Sequence, residues 1–385
     1  MESIQEKVVR GRTRKRRIGL IVNPIAGMGG PVGLKGTDGF ETYLEALRKG
    51  ARPRAGSKMK EAFEAIKTIA EDVDIVTCEG DMGLNIIRQI GIEPIEIVDV
   101  GDDGMSEPSD TMQAVIQMNQ LHIDLIVFAG GDGTARNISA VNFKNTICVG
   151  VPAGVKIQSS CFARTPREAG ELICDFIKGK ITRIREAEVV DLDEKLYRQG
   201  IVAPKFYNTL IVPDSSGRMQ NKKFRTPSSE YSDQLDIASE IVRNMENELY
   251  IIGPGSTTQA ILNKLKLPST LIGIDAVQNG QLIGQDLTEQ TLLELIENRK
   301  NIKLLLTPVG GQGFLLGRGN QQLSPKVLKR IGKKDMIVVA TNHKLQGLEP
   351  QSMWIDTGDQ ELNEKLRGYI RVVTGIKEVQ MFKIG

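Results

Sequence analysis

The chain's 385 residues exceed one ordinary domain, and two is the natural division. With 40% hydrophobic residues it can bury sizeable cores, while a net charge of +2 and only 4% aromatic residues speak against a protein that coats or stacks on nucleic acid. The two histidines, His122 and His343, lie far apart, and Cys78, Cys148, Cys161 and Cys174 show neither a C-x-x-C pair nor metal-ligand spacing, which argues against zinc, haem and Ser-His-Asp chemistry.

Residues 1–16 read as a basic tail, with Arg10–Arg17 solvated and leading into the first strand. Ile18–Val22 is a nearly continuous apolar run, the pattern of a strand buried on both faces. It ends in a Gly-rich loop that carries Asn23, Gly27 and, further on, Asp38, with neither Walker A nor Rossmann spacing. Helices are predicted at Phe40–Leu47 and Lys58–Ala70, a strand at Asp74–Thr77, a helix through Ile90, and a strand at Ile95–Val98. Ser109–Met118 is a predicted helix capped by Ser109 or Asp110.

The strand Leu125–Ala129 then runs directly into Gly130-Gly131-Asp132-Gly133-Thr134. Such a turn lets backbone N–H groups approach phosphates without side-chain clash, and the helix expected over Ala135–Val141 favours anions at its N-terminus. Ile147–Pro152 is the next strand, followed by Gly154 and Lys156. Strand and helix alternate, so the expected fold is α/β: an N-terminal doubly wound parallel sheet over 17–155, its Gly-rich loops opening on one edge.

From 156 the chain forms a larger mixed α/β domain, expected to reach 385 and to complete the cleft. Phe206–Val212 is its first clear strand, and Arg218–Ser232 is polar and looks like a mobile loop or lid. Leu249–Ile252 is a strand ending in Gly253-Pro254-Gly255-Ser256-Thr257-Thr258, where Ser256 and Thr257 are helix N-caps or phosphate ligands for the helix Gln259–Leu265. Further strands are predicted at Thr270–Ile274, Lys303–Pro308, Met336–Ala340 and Ser352–Asp356, and helices at Thr288–Ile296 and after Ser324-Pro325. Gly310-Gly311 and Gly317-Arg318-Gly319-Asn320 are further Gly-rich turns.

These turns suit phosphoryl transfer, which depends on electrostatic clamps and positioning. Asp132 would take the proton of an acceptor hydroxyl or organise Mg²⁺, unless it merely caps its helix. Thr134 and the amides around Gly131 and Gly133 would hold phosphate oxygens, with Lys156 neutralising charge. Arg318, between two glycines, is left uncrowded for bidentate phosphate contact, and Asp356 and Asp359 are candidates for a metal or for ribose hydroxyls.

The blocks Ile18–Gly30, Leu34–Gly39, Asp124–Asn137, Gly150–Phe162, Gly253–Thr258, Gly310–Pro325 and Asp356–Asp359 make the chain resemble the ATP-NAD kinase family, in particular the branch grouped with acetoin-catabolism protein X. The Gly-Gly-Asp-Gly-Thr turn alone is less selective, since diacylglycerol kinases, sphingosine kinases and 6-phosphofructokinase carry similar turns. The combination with Val155-Lys156 and Gly317–Asn320 narrows it. The resemblance implies a fold of the NAD kinase/diacylglycerol kinase type. It also implies transfer of the ATP γ-phosphoryl group to the 2′-hydroxyl of the adenosine ribose of NAD, with Asp132 as base and Mg²⁺ carried by ATP. Where typical NAD kinases bind the dinucleotide through an Asn-Glu or Asn-Asp element, residues 157–163 read Ile-Gln-Ser-Ser-Cys-Phe-Ala, and Asn208 is a weak stand-in. A kinase for another small hydroxyl compound (sugar, nucleoside or lipid alcohol) and a catalytically silent nucleotide-binding regulator are the alternatives. The expected setting is cytoplasmic, with reduced core cysteines, no nucleic-acid or membrane partner, and a homo-oligomer.

Overall fold

The computed structural model describes residues 14–34, 40–100, 106–142, 146–155, 157–192, 204–215, 218–219, 230–309, 312–348 and 350–385. Most of the basic tail, Asp38, Lys156, Gly310-Gly311 and most of the expected lid lie outside the described residues.

Five strands build the first sheet: β1 (Arg16–Val22), β2 (Val73–Cys78), β3 (Glu96–Val98), β4 (Leu125–Gly130) and β5 (Ile147–Pro152). All neighbours are parallel, in the order β3-β2-β1-β4-β5. The apolar runs of β1 and β4 are sequestered because helices cover both faces. Helix Ala55–Ile66 packs on helix Pro166–Ile177, and helix Pro108–Gln120 packs on helix Asp132–Val141. An antiparallel ribbon, β6 (Ile184–Leu192) with β7 (Pro204–Pro213), adds Ala187, Val189, Leu210 and Val212 to the same core, so packing runs past residue 155.

The second sheet has seven strands. The chain forms β8 (Leu249–Ile252), β9 (Asp275–Gln278), β10 (Gln281–Gly284), β11 (Ile302–Leu306), the short β12 (Phe314–Leu316), β13 (Met336–Val339), β14 (Trp354–Ile355), β15 (Gly368–Gly375) and β16 (Glu378–Ile384). The sheet order is β10-β9-β8-β11-β13-β15-β16, with β8, β11, β13 and β15 parallel and the flanking pairs antiparallel. Strands β12 and β14 form a separate parallel pair. The fold is therefore α/β, with a parallel sheet first and a larger mixed sheet after it.

Several local expectations are corrected. Residues 270–274 are not a strand: the buried Asp275 carboxylate accepts hydrogen bonds from the Thr270 amide and hydroxyl and from the Asp286 amide, which turns this segment back as a loop and starts the strand at Asp275. The helix from Pro108 is capped by Glu107, in a reciprocal box with Asp110. The helix from Ser256 takes Gly255 as its cap, with no side-chain cap bond from Ser256 or Thr257. All four cysteines are free and buried, and burial pushes the Cys78 thiol up to about 12, so they act as core residues.

Candidate active site at the edge of the first sheet

Strand order reverses direction at β1 and β4, so the crevice beyond their carboxyl ends is the topological switch point where open α/β sheets bind ligands. The loops that follow these strands are locked together there. The Asn23 amide donates to the Ala129 carbonyl at 2.9 Å, its side-chain Nδ2 donates to Thr134 Oγ1 at 2.9 Å, and its Oδ1 accepts from the Ile25 amide at 3.2 Å. The amides of Ala153 and Gly154 both donate to the Gly130 carbonyl, at 3.0 and 2.9 Å. Glycine is required at the closest approach: Gly27 has φ +78°, and a Cβ there would lie 1.8 Å from the Ala153 carbonyl oxygen.

Asp132 opens the helix Asp132–Val141 behind its cap Gly131, but its carboxylate does not cap that helix. It is buried, and it accepts hydrogen bonds from the amides of Gln158 at 2.6 Å and Ser159 at 2.9 Å. Desolvation outweighs these bonds and raises its carboxyl to about 7. A carboxyl poised near neutrality can exchange a proton with a hydroxyl brought within hydrogen-bond reach. Gly133 and Thr134 follow it in the first turn, and a side chain at Gly130 would strike Thr134 Oγ1 at 2.3 Å.

Next to this edge lies a cleft of about 230 Å³, lined by Arg54, Lys58, Gly154, Arg318 and Asp356 among others. Lys58 on the helix Ala55–Ile66 pairs with Asp356 beyond β14 at 3.3 Å, so the wall joins the two halves of the chain. Sequence reading missed Arg54 and Lys58, because only the tertiary fold brings that helix to the Gly-rich loops.

Arg318 is not the uncrowded guanidinium expected from its flanking glycines. It is buried, its Nη2 donates to the carbonyls of Ala163 and Arg164, and its plane lies over the Phe314 ring at 4.3 Å. Asn320 serves the turn itself, accepting from the Gly317 amide and donating to the Leu315 carbonyl, both at 2.9 Å. Asp359 caps the helix Gln360–Leu366 and meets Lys329, and Asn208 donates to the Ser139 carbonyl, so each has a structural task.

Gly255, Ser256 and Thr257 gather elsewhere, at the carboxyl ends of β8, β11 and β13. Lys344 Nζ donates to Thr257 and Thr307, both at 3.2 Å, and buried Glu230 accepts from Thr341 at 2.9 Å. None of the three lines the cleft.

Residues 18–181 match the ATP-NAD kinase N-terminal domain, and residues 245–384 match the ATP-NAD kinase C-terminal domain. The chain belongs to the ATP-NAD kinase family. Its N-terminal match takes in most of β1, the Gly-Gly-Asp-Gly-Thr turn and the loop that holds Asp132, and its C-terminal match takes in Arg318 and Asp356. No curated protein matches the chain. Among solved structures, a protein from Bacillus anthracis str. Sterne assigned as a diacylglycerol kinase is 13% identical, over 63% of this chain and 61% of that one, at a TM-score of 0.26. A UDP-N-acetylglucosamine 2-epimerase is 9% identical, over 91% and 85% of the two chains, also at 0.26. Neither likeness at that TM-score bears on fold or chemistry. Among the described residues, no helix is long and apolar enough to cross a membrane.

Proposed function

We propose that this member of the ATP-NAD kinase family is a phosphotransferase that moves the γ-phosphoryl group of ATP to the 2′-hydroxyl of the adenosine ribose of NAD, giving NADP. The observation that carries this reading is Asp132: a buried carboxyl, raised to about 7, beside the switch-point crevice in a chain that matches both ATP-NAD kinase domains. Asp132 would accept the proton of the attacking hydroxyl. The cations Arg54, Lys58 and Arg318 on the cleft wall would face the phosphates and the charge that develops on them, with the Gly130–Thr134 turn packed behind Gly154.

Among the described residues there is no group of three or more His, Cys, Asp or Glu side chains able to hold a metal. In the proposed reaction a Mg²⁺ ion would arrive on the nucleotide and keep most of its water and phosphate ligands. Asp356, one of the carboxylates on the cleft wall, would take part in exchange for its bond to Lys58. When bound, the ion would neutralise phosphate charge; the protein's share is to fix the acceptor hydroxyl against Asp132.

The reading is tested by giving purified protein ATP and Mg²⁺ with a panel of NAD, a nucleoside, a sugar and a short-chain diacylglycerol, alongside Asp132→Asn. Transfer to NAD that is lost in Asp132→Asn while ATP still binds supports it. Transfer to a different acceptor moves the substrate, and binding without transfer to any acceptor refutes the enzyme.

A further inference from the structure

Two buried arginines meet where the loop after β5 faces the loop after β12. Arg164 and Arg318 are 8% and 5% exposed. The tip of the Arg318 side chain reaches the main chain of Arg164, since Arg318 Nη2 donates to the carbonyl of Arg164 itself. Each guanidinium is stacked on a ring, Arg164 on Trp354 at 3.7 Å and Arg318 on Phe314 at 4.3 Å. Each is also held by one nitrogen: Arg164 Nη2 pairs with Glu168 at 2.7 Å, and Arg318 Nη2 is held by carbonyls. Three other donors, Nε and Nη1 of Arg164 and Nη1 of Arg318, are buried with no hydrogen-bond partner. The other carboxylates in reach are engaged: Asp132 by two amides and Asp356 by Lys58.

A buried cation with idle donors is costly unless an anion completes it. Contact with an aromatic face restrains each guanidinium in advance, so that a tetrahedral oxyanion meets donors already held in place. Arg318 also lines the cleft.

We propose that Arg164 and Arg318 form one subsite for phosphate oxygens of a nucleotide, with Trp354 and Phe314 holding the two guanidinium planes. The subsite rests on the phosphotransferase reading, and its ligand is the triphosphate of the donor or the pyrophosphate of a dinucleotide acceptor. It adds Arg164, which neither the sequence nor the cleft lining singles out.

Calorimetric titration of the full chain with inorganic pyrophosphate, with ATP and Mg²⁺, and with NAD tests it. Arg164→Met and Arg318→Met should each weaken pyrophosphate binding at least tenfold, and Arg164→Lys should weaken it less because it keeps the charge. A loss for ATP alone assigns the donor, and a loss for NAD alone the acceptor. Glu168→Gln removes the carboxylate that competes for Arg164 and should bind pyrophosphate several-fold more tightly than the native chain. This variant decides the matter if Arg164→Met fails to fold. Unchanged pyrophosphate binding in the folded arginine variants, unchanged or weaker binding in Glu168→Gln, or no saturable pyrophosphate binding by the native chain overturns the subsite. Arginine-dependent pyrophosphate binding without phosphoryl transfer to any acceptor keeps the subsite and refutes the kinase. Transfer that survives with unchanged KM in Arg164→Met, together with unchanged pyrophosphate binding, does the reverse.

Discussion

Asp132 combines a buried carboxyl with two backbone donors, and the balance between them sets its behaviour with pH. Because burial wins and the carboxyl sits near 7, the native state holds a proton between roughly pH 4 and pH 7 that the unfolded chain has released. Its contribution to stability is therefore largest below pH 4 and is lost as pH rises through about 7, a slope that Asp132→Asn should flatten in urea titrations at several pH values. A base must be deprotonated, so kcat/KM should climb with pH through an apparent value of about 7, and Asp132→Asn should lower turnover by about 10²- to 10⁴-fold. Gln158 is the second residue of interest at this scale. Its backbone amide holds Asp132, while its buried side-chain amide has no hydrogen-bond partner on either atom. Gln158→Met should stabilise the free protein by about 1–2 kcal/mol, since an orphaned buried amide costs about that much. If the amide reads the acceptor, the same change should raise the acceptor KM; a more stable variant with unaltered KM would make Gln158 a packing residue only.

The loops after β1, β4 and β5 act as one unit, because they are bonded backbone to backbone at the sheet edge. Gly27→Ala should cost on the order of 2–3 kcal/mol, from the left-handed backbone and the contact with the Ala153 carbonyl, and denaturant unfolding would measure it. Asn23→Ala should cost about 1–2 kcal/mol and loosen Thr134. The strands of this sheet were legible because they are apolar on both faces and each is followed by a Gly-rich turn. The ribbon β9–β10 was not read, although Asn279-Gly280 between its strands, with φ of +54° and +71°, is a standard hairpin signal. Its strands are four residues each and β10 is half exposed, so neither shows an apolar run. Hairpin β15–β16 was missed for a related reason, since exposed Tyr369, Val379 and Met381 break the alternation of a half-buried strand. The fate of Arg318 was hidden in sequence because flanking glycines describe only local space, whereas its burial comes from residues about 155 positions earlier.

Across the whole molecule, the two sheets contribute different walls to one cleft. The bond of Lys58 to Asp356 spans 298 positions, and the side chain of Gln312 donates to the Ile157 carbonyl across the same boundary. A double-mutant cycle of Lys58→Met and Asp356→Asn should give a coupling of about 0.5–1 kcal/mol in the free protein, as for a partly exposed pair. A coupling that vanishes with ATP and Mg²⁺ bound would place the nucleotide between the two side chains. In the proposed reaction this cleft holds the nucleotide and Asp132 beside it serves the phosphorylation of NAD. The most direct measurement is an end-point assay in which purified protein, ATP, Mg²⁺ and NAD are incubated and NADP is read by an NADP-specific dehydrogenase. NADP formation that disappears in Asp132→Asn is the expected result. An absence of NADP from a folded, ATP-binding protein, or NADP formation undiminished in Asp132→Asn, would contradict it.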